Sequence, residues 1–331
     1  MNIVFGWLGP QTARLYWGRV LIDVVIVNWN AGSQLSECVE SVLTYALDRV
    51  AKVIIVDNGS TDRSTDQVIN MEGIEVIRAG KNLGFAAACN LGVKAGFSPY
   101  LLFLNPDTRV EAQSLTRPLE FMEQPENCDV GICGIQLRND DDRVSYSCSR
   151  FPTLARLVLG ALGVEKVPLF RRVGMQMSEW EHDETRLVDQ VMGAFFMIRR
   201  DLFESLGGFD EQFFVYFEEV DLSFRACKAG WQSMFLADAQ AFHAGGGTSR
   251  QVKAIRLFYS LRSRLLYGFK HFPRWQGWVL VGITSVIEPL TRTLWCLAQG
   301  DIAGVRDTWS AYRMLWRGMG RIVSGDGRFI P

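Results

Sequence analysis

Leu101–Val110 reads LLFLNPDTRV. Four large apolar residues that stop abruptly at Asn105-Pro106-Asp107 describe a strand buried on both faces. Pro106 has no amide proton, so it ends the hydrogen-bond ladder. Asp107 then stands just past the carboxyl end of the strand, where open α/β sheets hold their ligands. An Asn-Pro-Asp turn is also ordinary loop punctuation, so its meaning depends on the rest of the chain.

Working outward, strand and helix patterns alternate from Leu21 onward. DVVIVN (23–28) and KVIIVD (52–57) are apolar runs of strand length, and IEVI (74–77) is a third. Leu35, Val39, Val42 and Leu43 follow helical spacing behind Ser33, a candidate N-cap. Ser64 and Gln67 have the spacing of a capping box, and Gly84–Ala95 reads as a further helix. This alternation with short loops predicts an α/β protein with a mostly parallel central sheet covered on both faces. The turn after the first strand, Asn28-Trp29-Asn30-Ala31-Gly32-Ser33, lacks GxGxxG. No GxxxxGK[ST] occurs, and Gly245-Gly246-Gly247 follows no strand-to-helix crossover, so dinucleotide and P-loop chemistry are not indicated.

At 331 residues, 48% hydrophobic and 21% charged, the chain is long and apolar enough for a sizeable core. The net charge of −1 hides an asymmetry. Residues 251–331 hold twelve Lys and Arg against four Asp and Glu, and five of the ten Trp. An acidic body with a basic, Trp-rich C-terminal region predicts an anionic partner for that region. The seven Cys form no CxxC pair and fall largely in apolar patterns, which predicts reduced thiols in a cytoplasmic protein. Residues 1–20 lack the pattern of a signal peptide and read as an N-terminal extension.

Three consecutive strands end in polar side chains: Asn28 and Asn30, then Asp57, then Asn105 and Asp107. A right-handed parallel sheet brings those ends to one edge, and three converging polar ends make a candidate site. Asp57 has the chemistry to accept the imide N–H of a uracil or thymine ring; as part of DNGS it is equally a turn residue. Further on, the aromatic run Phe213–Phe217 delivers Glu218, Glu219 and Asp221 together. Crowded carboxylates favour a raised pKa for at least one of them. Asp221 and Arg225 are spaced to neutralise each other on a helix, leaving Glu218 and Glu219 as candidates for a general base, or as an acidic first helical turn favoured by the macrodipole. His243, in AFHAGGG, is a metal-ligand candidate or a structural histidine.

In this order, VVIVNWNAGSQLSECVESVL, VDNGSTD, NLGFAAACNLGVKAG, LLFLNPD, MGAFFMIRRDLFESLGGFDEQFFVYFEEVDLSFRACKAGW and FHAGGGTSR resemble the family 2 inverting glycosyltransferases of the GT-A fold. The similarity is to the bacterial branch that includes rhamnosyltransferases of cell-envelope polysaccharide synthesis. It implies a GT-A catalytic domain over residues 21–250, followed by a helical region over 251–331. Asn105-Pro106-Asp107 takes the place of the family's DxD motif, which implies Asp107 as ligand to Mg²⁺ or Mn²⁺, Asn105 near the ribose and His243 as a further metal or diphosphate ligand. Asp57 matches the nucleobase-binding Asp, and Asn28, Asn30 and Asn82 fall in nucleotide-sugar-binding segments. Glu218-Glu219 aligns with a Glu-Asp pair whose second member is the base, implying Glu219 in that role and Glu218 as the alternative.

The implied reaction is single displacement: transfer of a sugar, L-rhamnose from dTDP-rhamnose, to a hydroxyl of a saccharide or lipid-linked saccharide. A UDP-hexose or UDP-galactofuranose donor is the alternative, and a non-catalytic sugar-nucleotide or glycan-binding module is the reading from another class. No nucleic-acid partner is expected; a second copy of the chain is a candidate partner. In the C-terminal region, the charge-free run Trp275–Ile287 is too short for the ~20 residues a membrane span needs. Beyond it, Thr284, Glu288, Thr291 and Arg292 share one helical face, and Val279, Leu280, Ile283, Ile287, Leu290 and Leu294 the other. Two readings follow: a helix in the plane of a membrane, on the inner face of the cell membrane, or a helix packed on the catalytic domain or on a second subunit.

Overall fold

In the computed structural model, which describes residues 21–46, 48–164, 172–245 and 253–324, the apolar runs form one mixed sheet. β1 (Ile22–Asn28) lies between β2 (Val50–Asp57) and β4 (Tyr100–Leu104), and β3 (Ile74–Arg78) lies outside β2, all parallel. Side chains alternate along β1: Val24 and Ile26 enter one core, Val25 and Val27 the other. The first core is closed by α1 (Ser33–Tyr45) and α3 (Thr116–Glu123). The second is closed by α2 (Phe85–Val93), α5 (Arg200–Ser205) and α6 (Glu218–Lys228). The α/β reading, with helices on both faces, is borne out.

Beyond β4 the sheet changes direction. β11 (Phe195–Arg199) is antiparallel to both β4 and β6 (Val130–Arg138), and β12 (Gln232–His243) runs parallel to β6. Two reversals restore the original polarity, so β12 ends at the same edge as β1, β2 and β4. There its last residues pair with β5 (Thr108–Val110), His243 opposite Thr108. Smaller strands complete this part: β7 (Val144–Ser145) on β6, β9 (Arg186–Val188) on β12, and β8 (Cys148–Ser149) paired with β10 (Gln190–Val191).

Two expected caps take another form. Gly32, at φ 58°, precedes α1, whose first residue is Ser33, and Ser33 makes no side-chain cap. A glycine has no oxygen to offer, and the Asp62 carboxylate accepts the Gly32 N–H at 2.8 Å from a neighbouring loop instead. Ser64–Gln67 is a short 3₁₀ turn without a capping box, because the Ser64 hydroxyl is occupied by Asp62 and Asn28. Of the cysteines, Cys38, Cys89, Cys133 and Cys148 are buried and all seven are free, but Cys128 and Cys227 are exposed.

Three further helices, α7 (Lys253–His271), α8 (Arg274–Gly282) and α10 (Ile302–Val323), share a third core with α4 (Leu154–Ala161), and α9 (Glu288–Ala298) packs against α10. That core includes Phe213 and Val220, so the helical layer is packed on the segment leading into α6. Ser263 donates to the Val215 carbonyl at 2.9 Å, Arg262 to that of Gln212 at 3.1 Å, and Phe214 stacks on Tyr259. A π-helical turn, Ile283–Ile287, joins α8 to α9, giving one 25-residue helix, Arg274–Ala298. This corrects the short apolar run expected from sequence: by length and composition alone the helix could cross a membrane. It continues through Glu288 because that carboxylate is buried and neutralised by Arg264 and Arg292. Of the apolar face read from sequence, Leu280 is buried in the third core, whereas Leu290 and Leu294 are exposed.

The expected N-terminal extension (1–20) and the glycine run beyond Gly245 lie outside the described residues.

Candidate active site

The carboxyl ends of β1, β2 and β4 form the floor of the site. Asn28 and Asp57 are partners in register at the ends of β1 and β2. Asn28 is fully buried, and its amide donates to the hydroxyls of Ser60 at 3.0 Å and Ser64 at 2.8 Å. It therefore braces the loop that follows β2 from below. Asn30, with φ 52°, accepts the Thr61 N–H at 2.7 Å and holds the same loop from above. Asp57 accepts the Ser60 N–H at 3.1 Å through one carboxylate oxygen, the turn-residue geometry. It remains partly exposed.

Asn58, not singled out from sequence, organises the next wall. It is buried, donates to Asn82 at 3.0 Å and accepts the Leu83 N–H at 2.8 Å. Asn82 in turn accepts the Gly84 N–H. Gly84 sits at φ 87°, ψ 165°, a region open essentially to glycine alone. A Cβ there would stand 2.5 Å from the Phe214 carbonyl oxygen, the acceptor for the Phe85 N–H. The Asn82 loop is thus locked against the segment carrying the acidic residues.

The turn after β4 and the end of β12 meet at Asp107 and His243. His243 Nε2 lies 3.4 Å from Asp107 Oδ1, and each side chain is about one-tenth exposed. Asn105, partly exposed, is fixed through its N–H to the Ala194 carbonyl, which also accepts from the Thr108 hydroxyl. Among the described residues, no three His, Cys, Asp or Glu side chains gather as a metal site.

Gly193, next to Ala194, brings this turn to the acidic pair: a Cβ on Gly193 would stand 3.9 Å from Glu219 Cγ. Tyr216 and Phe217 precede that pair with φ of 68° and 71°. Two consecutive bulky residues in the left-handed region are strained, and such strain clusters at functional sites. They turn the chain sharply so that α6 starts with Glu218 and Glu219. Glu218 is 5% exposed, and one oxygen of each carboxyl has no hydrogen-bond partner. Burial, reinforced by the neighbouring Glu219, pushes the Glu218 carboxyl well above the usual range, and burial raises Glu219 as well. Asp221 behaves oppositely. Burial alone would raise it, but the His271 hydrogen bond and the Arg225 and Lys270 cations hold it down at about 2.

A carboxylate–imidazole pair, an acidic pair with unpartnered oxygens and an asparagine-lined loop share one edge of a GT-A sheet. The chain belongs to glycosyl transferase family 2, whose family model matches residues 23–207. It is 28% identical over 284 residues to an N-acetylglucosaminyl-diphospho-decaprenol L-rhamnosyltransferase of Mycobacterium tuberculosis, covering 79% of this chain and 90% of that one. It is 24% identical over 257 residues to the rhamnosyltransferase WbbL of Escherichia coli, covering 75% and 92%. In fold it is similar to the mannosyltransferase PcManGT of Pyrobaculum calidifontis, solved with GDP-Man and Mn²⁺, at 15% identity and a TM-score of 0.52 over 93% of this chain and 86% of that one.

Proposed function

We propose that the protein transfers L-rhamnose from dTDP-rhamnose to a hydroxyl of a saccharide or lipid-linked saccharide in cell-envelope polysaccharide synthesis, with inversion at the anomeric carbon. The observation that carries this reading is the Glu218–Glu219 pair, set by strained backbone and linked to the Asn105–Asp107 turn through Gly193 and Ala194. The names of the two rhamnosyltransferase relatives support the choice of sugar.

Glu218 feels the neighbouring Glu219 charge, and two adjacent carboxyls shielded from water do not both ionise readily. Glu218, the more buried, keeps its proton, so the negative charge of the pair resides on Glu219. Glu219 then takes the acceptor hydroxyl proton as the oxygen attacks, and its raised pKa makes it a better base than an exposed carboxylate. Asp57, Asn30, Asn82 and Asn105 face the nucleotide and its ribose, and Asn28 holds their loop in place.

Asp107 and His243 suit a divalent cation, Mg²⁺ or Mn²⁺. The imidazole and carboxylate approach to 3.4 Å, and both side chains are of types that ligate divalent cations. When bound there, such an ion would supply charge neutralisation for the departing nucleoside diphosphate.

The test is release of nucleoside diphosphate by purified protein given dTDP-rhamnose, a UDP-hexose or UDP-galactofuranose, with and without a saccharide acceptor. Acceptor-dependent turnover of dTDP-rhamnose with an inverted product is expected. Preference for a UDP sugar replaces the donor assignment, and binding without turnover of any donor refutes the enzyme.

A further inference from the structure

The helical layer has two sides of different chemistry. Toward the protein, the Arg274–Ala298 helix presents Leu280, Thr284 and Glu288, all buried. Glu288 is bound by Arg264 of α7 and Arg292, and the Thr291 hydroxyl donates to the Ala161 carbonyl of α4 at 2.8 Å. Away from the protein stand Trp275 and Val286, each 62% exposed, with Leu290 at 53% and Leu294 at 67%. Such a contiguous run of large apolar side chains is not ordinary soluble surface. Ile302, also exposed, carries it across the Gly300–Asp301 turn onto α10.

On α10, Arg306, Arg313 and Arg317 are exposed. Spacings of seven and four residues place them on one stripe, and none has an ion-pair partner among the described residues. Trp309 and Trp316, seven apart and with ring centroids 6.0 Å from each other, form a stripe beside them. Apolar side chains flanked by tryptophan and arginine match the boundary between acyl chains and anionic headgroups.

We propose that the outward face of α8–α10 is an interfacial membrane-binding surface that lays the protein on an anionic bilayer. The Arg274–Ala298 helix, about 37 Å long at 1.5 Å per residue, lies in the plane of that surface rather than through it. Its inner side is already committed to protein, with Glu288 ion-paired near its middle. Charge favours a membrane over a second copy of the chain as occupant: the exposed stripe of Arg306, Arg313 and Arg317 repels a like surface and attracts a negative one. Because α7 ties this layer to residues 212–217, the surface is mechanically continuous with the start of α6. The inference stands whatever sugar is transferred.

The experiment is co-sedimentation of the full chain with vesicles of phosphatidylcholine alone or with one-third phosphatidylglycerol, at low and high salt. The wild type should partition onto the anionic vesicles and be released as salt rises. An R306E/R313E/R317E triple variant should lose affinity by at least roughly a hundredfold, at about fivefold per arginine near the surface. A W275Q/L290Q/L294Q variant should lose binding to the anionic vesicles even at low salt. Both variants should keep wild-type thermal unfolding and turnover with a soluble acceptor, which separates this surface from the reaction. Unchanged binding by both variants, or no binding by the wild type, overturns the proposal. So does a dimer in lipid-free buffer that dissolves in the W275Q/L290Q/L294Q variant, which would assign the face to a second copy.

Discussion

His243 Nε2 lies 3.4 Å from Asp107 Oδ1, joining the end of β12 to the turn after β4. The contact exists because β12 and β4 have the same polarity across the two strands between them, β11 and β6, and because β5 folds back to pair with β12. Each partner is nearly buried, so neither can be replaced by a distant surface group. Asp107→Ala is expected to abolish sugar transfer while leaving thermal unfolding close to wild type. Excess EDTA should do the same to the wild-type protein, reversibly on adding Mn²⁺. Full activity in EDTA would remove the metal role from both residues.

Gly84 tests whether the Asn82 loop and the acidic segment act as one body. Gly84→Ala places a Cβ 2.5 Å from the Phe214 carbonyl oxygen in a backbone region that only glycine tolerates. The strain alone is on the order of 1–3 kcal/mol, and the clash forces Phe214 to move. Lower stability in urea and weaker donor binding are expected together, since the loop and residues 213–217 must separate. Wild-type donor affinity in this variant would show that the two segments are independent.

Asp221 anchors α6 to α7 through Lys270 and His271, each at 2.7 Å. Its folded-state pKa of about 2 lies below the ordinary 3.8. A depressed carboxyl pKa contributes stability that is fully present above 3.8 and is lost as pH falls toward 2. The difference corresponds to about 2 kcal/mol. Asp221→Asn also strands the cations around a buried position, so the total loss near neutral pH should reach roughly 3–5 kcal/mol. Urea unfolding of both proteins across pH should show the gap narrowing below pH 4. A gap independent of pH would mean that packing, not charge, holds this contact.

Much of this architecture is readable from residues because the N-terminal strands are uninterrupted apolar runs closed by turn residues. Asn28, Asp57 and Asn105 therefore fall at one sheet edge without reference to coordinates. The antiparallel entry of β11 is not readable, since Phe195–Arg199 would look the same in either direction. Nor do Tyr216 and Phe217 announce a left-handed turn: aromatic residues carry no preference for it, and packing against α7 imposes it. Asn58 is hidden for another reason, as its partners at Asn82 and Leu83 are set by tertiary approach. In the C-terminal region Glu288 reads as a break in an apolar helix until Arg264, 24 residues earlier, is found beside it.

The sharpest test concerns which member of the acidic pair acts on the acceptor. If Glu218 is protonated and Glu219 carries the charge, Glu219→Gln keeps the volume of the side chain and should leave donor binding intact. Transfer should then fall by roughly 10²–10⁴, the usual worth of a positioned base. Glu218→Gln replaces a neutral group by a neutral group and should lower transfer far less. The pH profile adds a readout that orientation alone would not move. A base must be ionised, so kcat should rise with pH through a limb above the ordinary glutamate value of 4.5. In Glu218→Gln that limb should persist, shifted modestly because one neighbouring carboxyl has been removed, whereas in Glu219→Gln it should vanish. Neighbouring carboxyls titrate as a pair, so the two variants must be compared over the same pH range. A dead Glu218→Gln beside a nearly normal Glu219→Gln would transfer the base to Glu218. Normal turnover in both would place the base outside the pair.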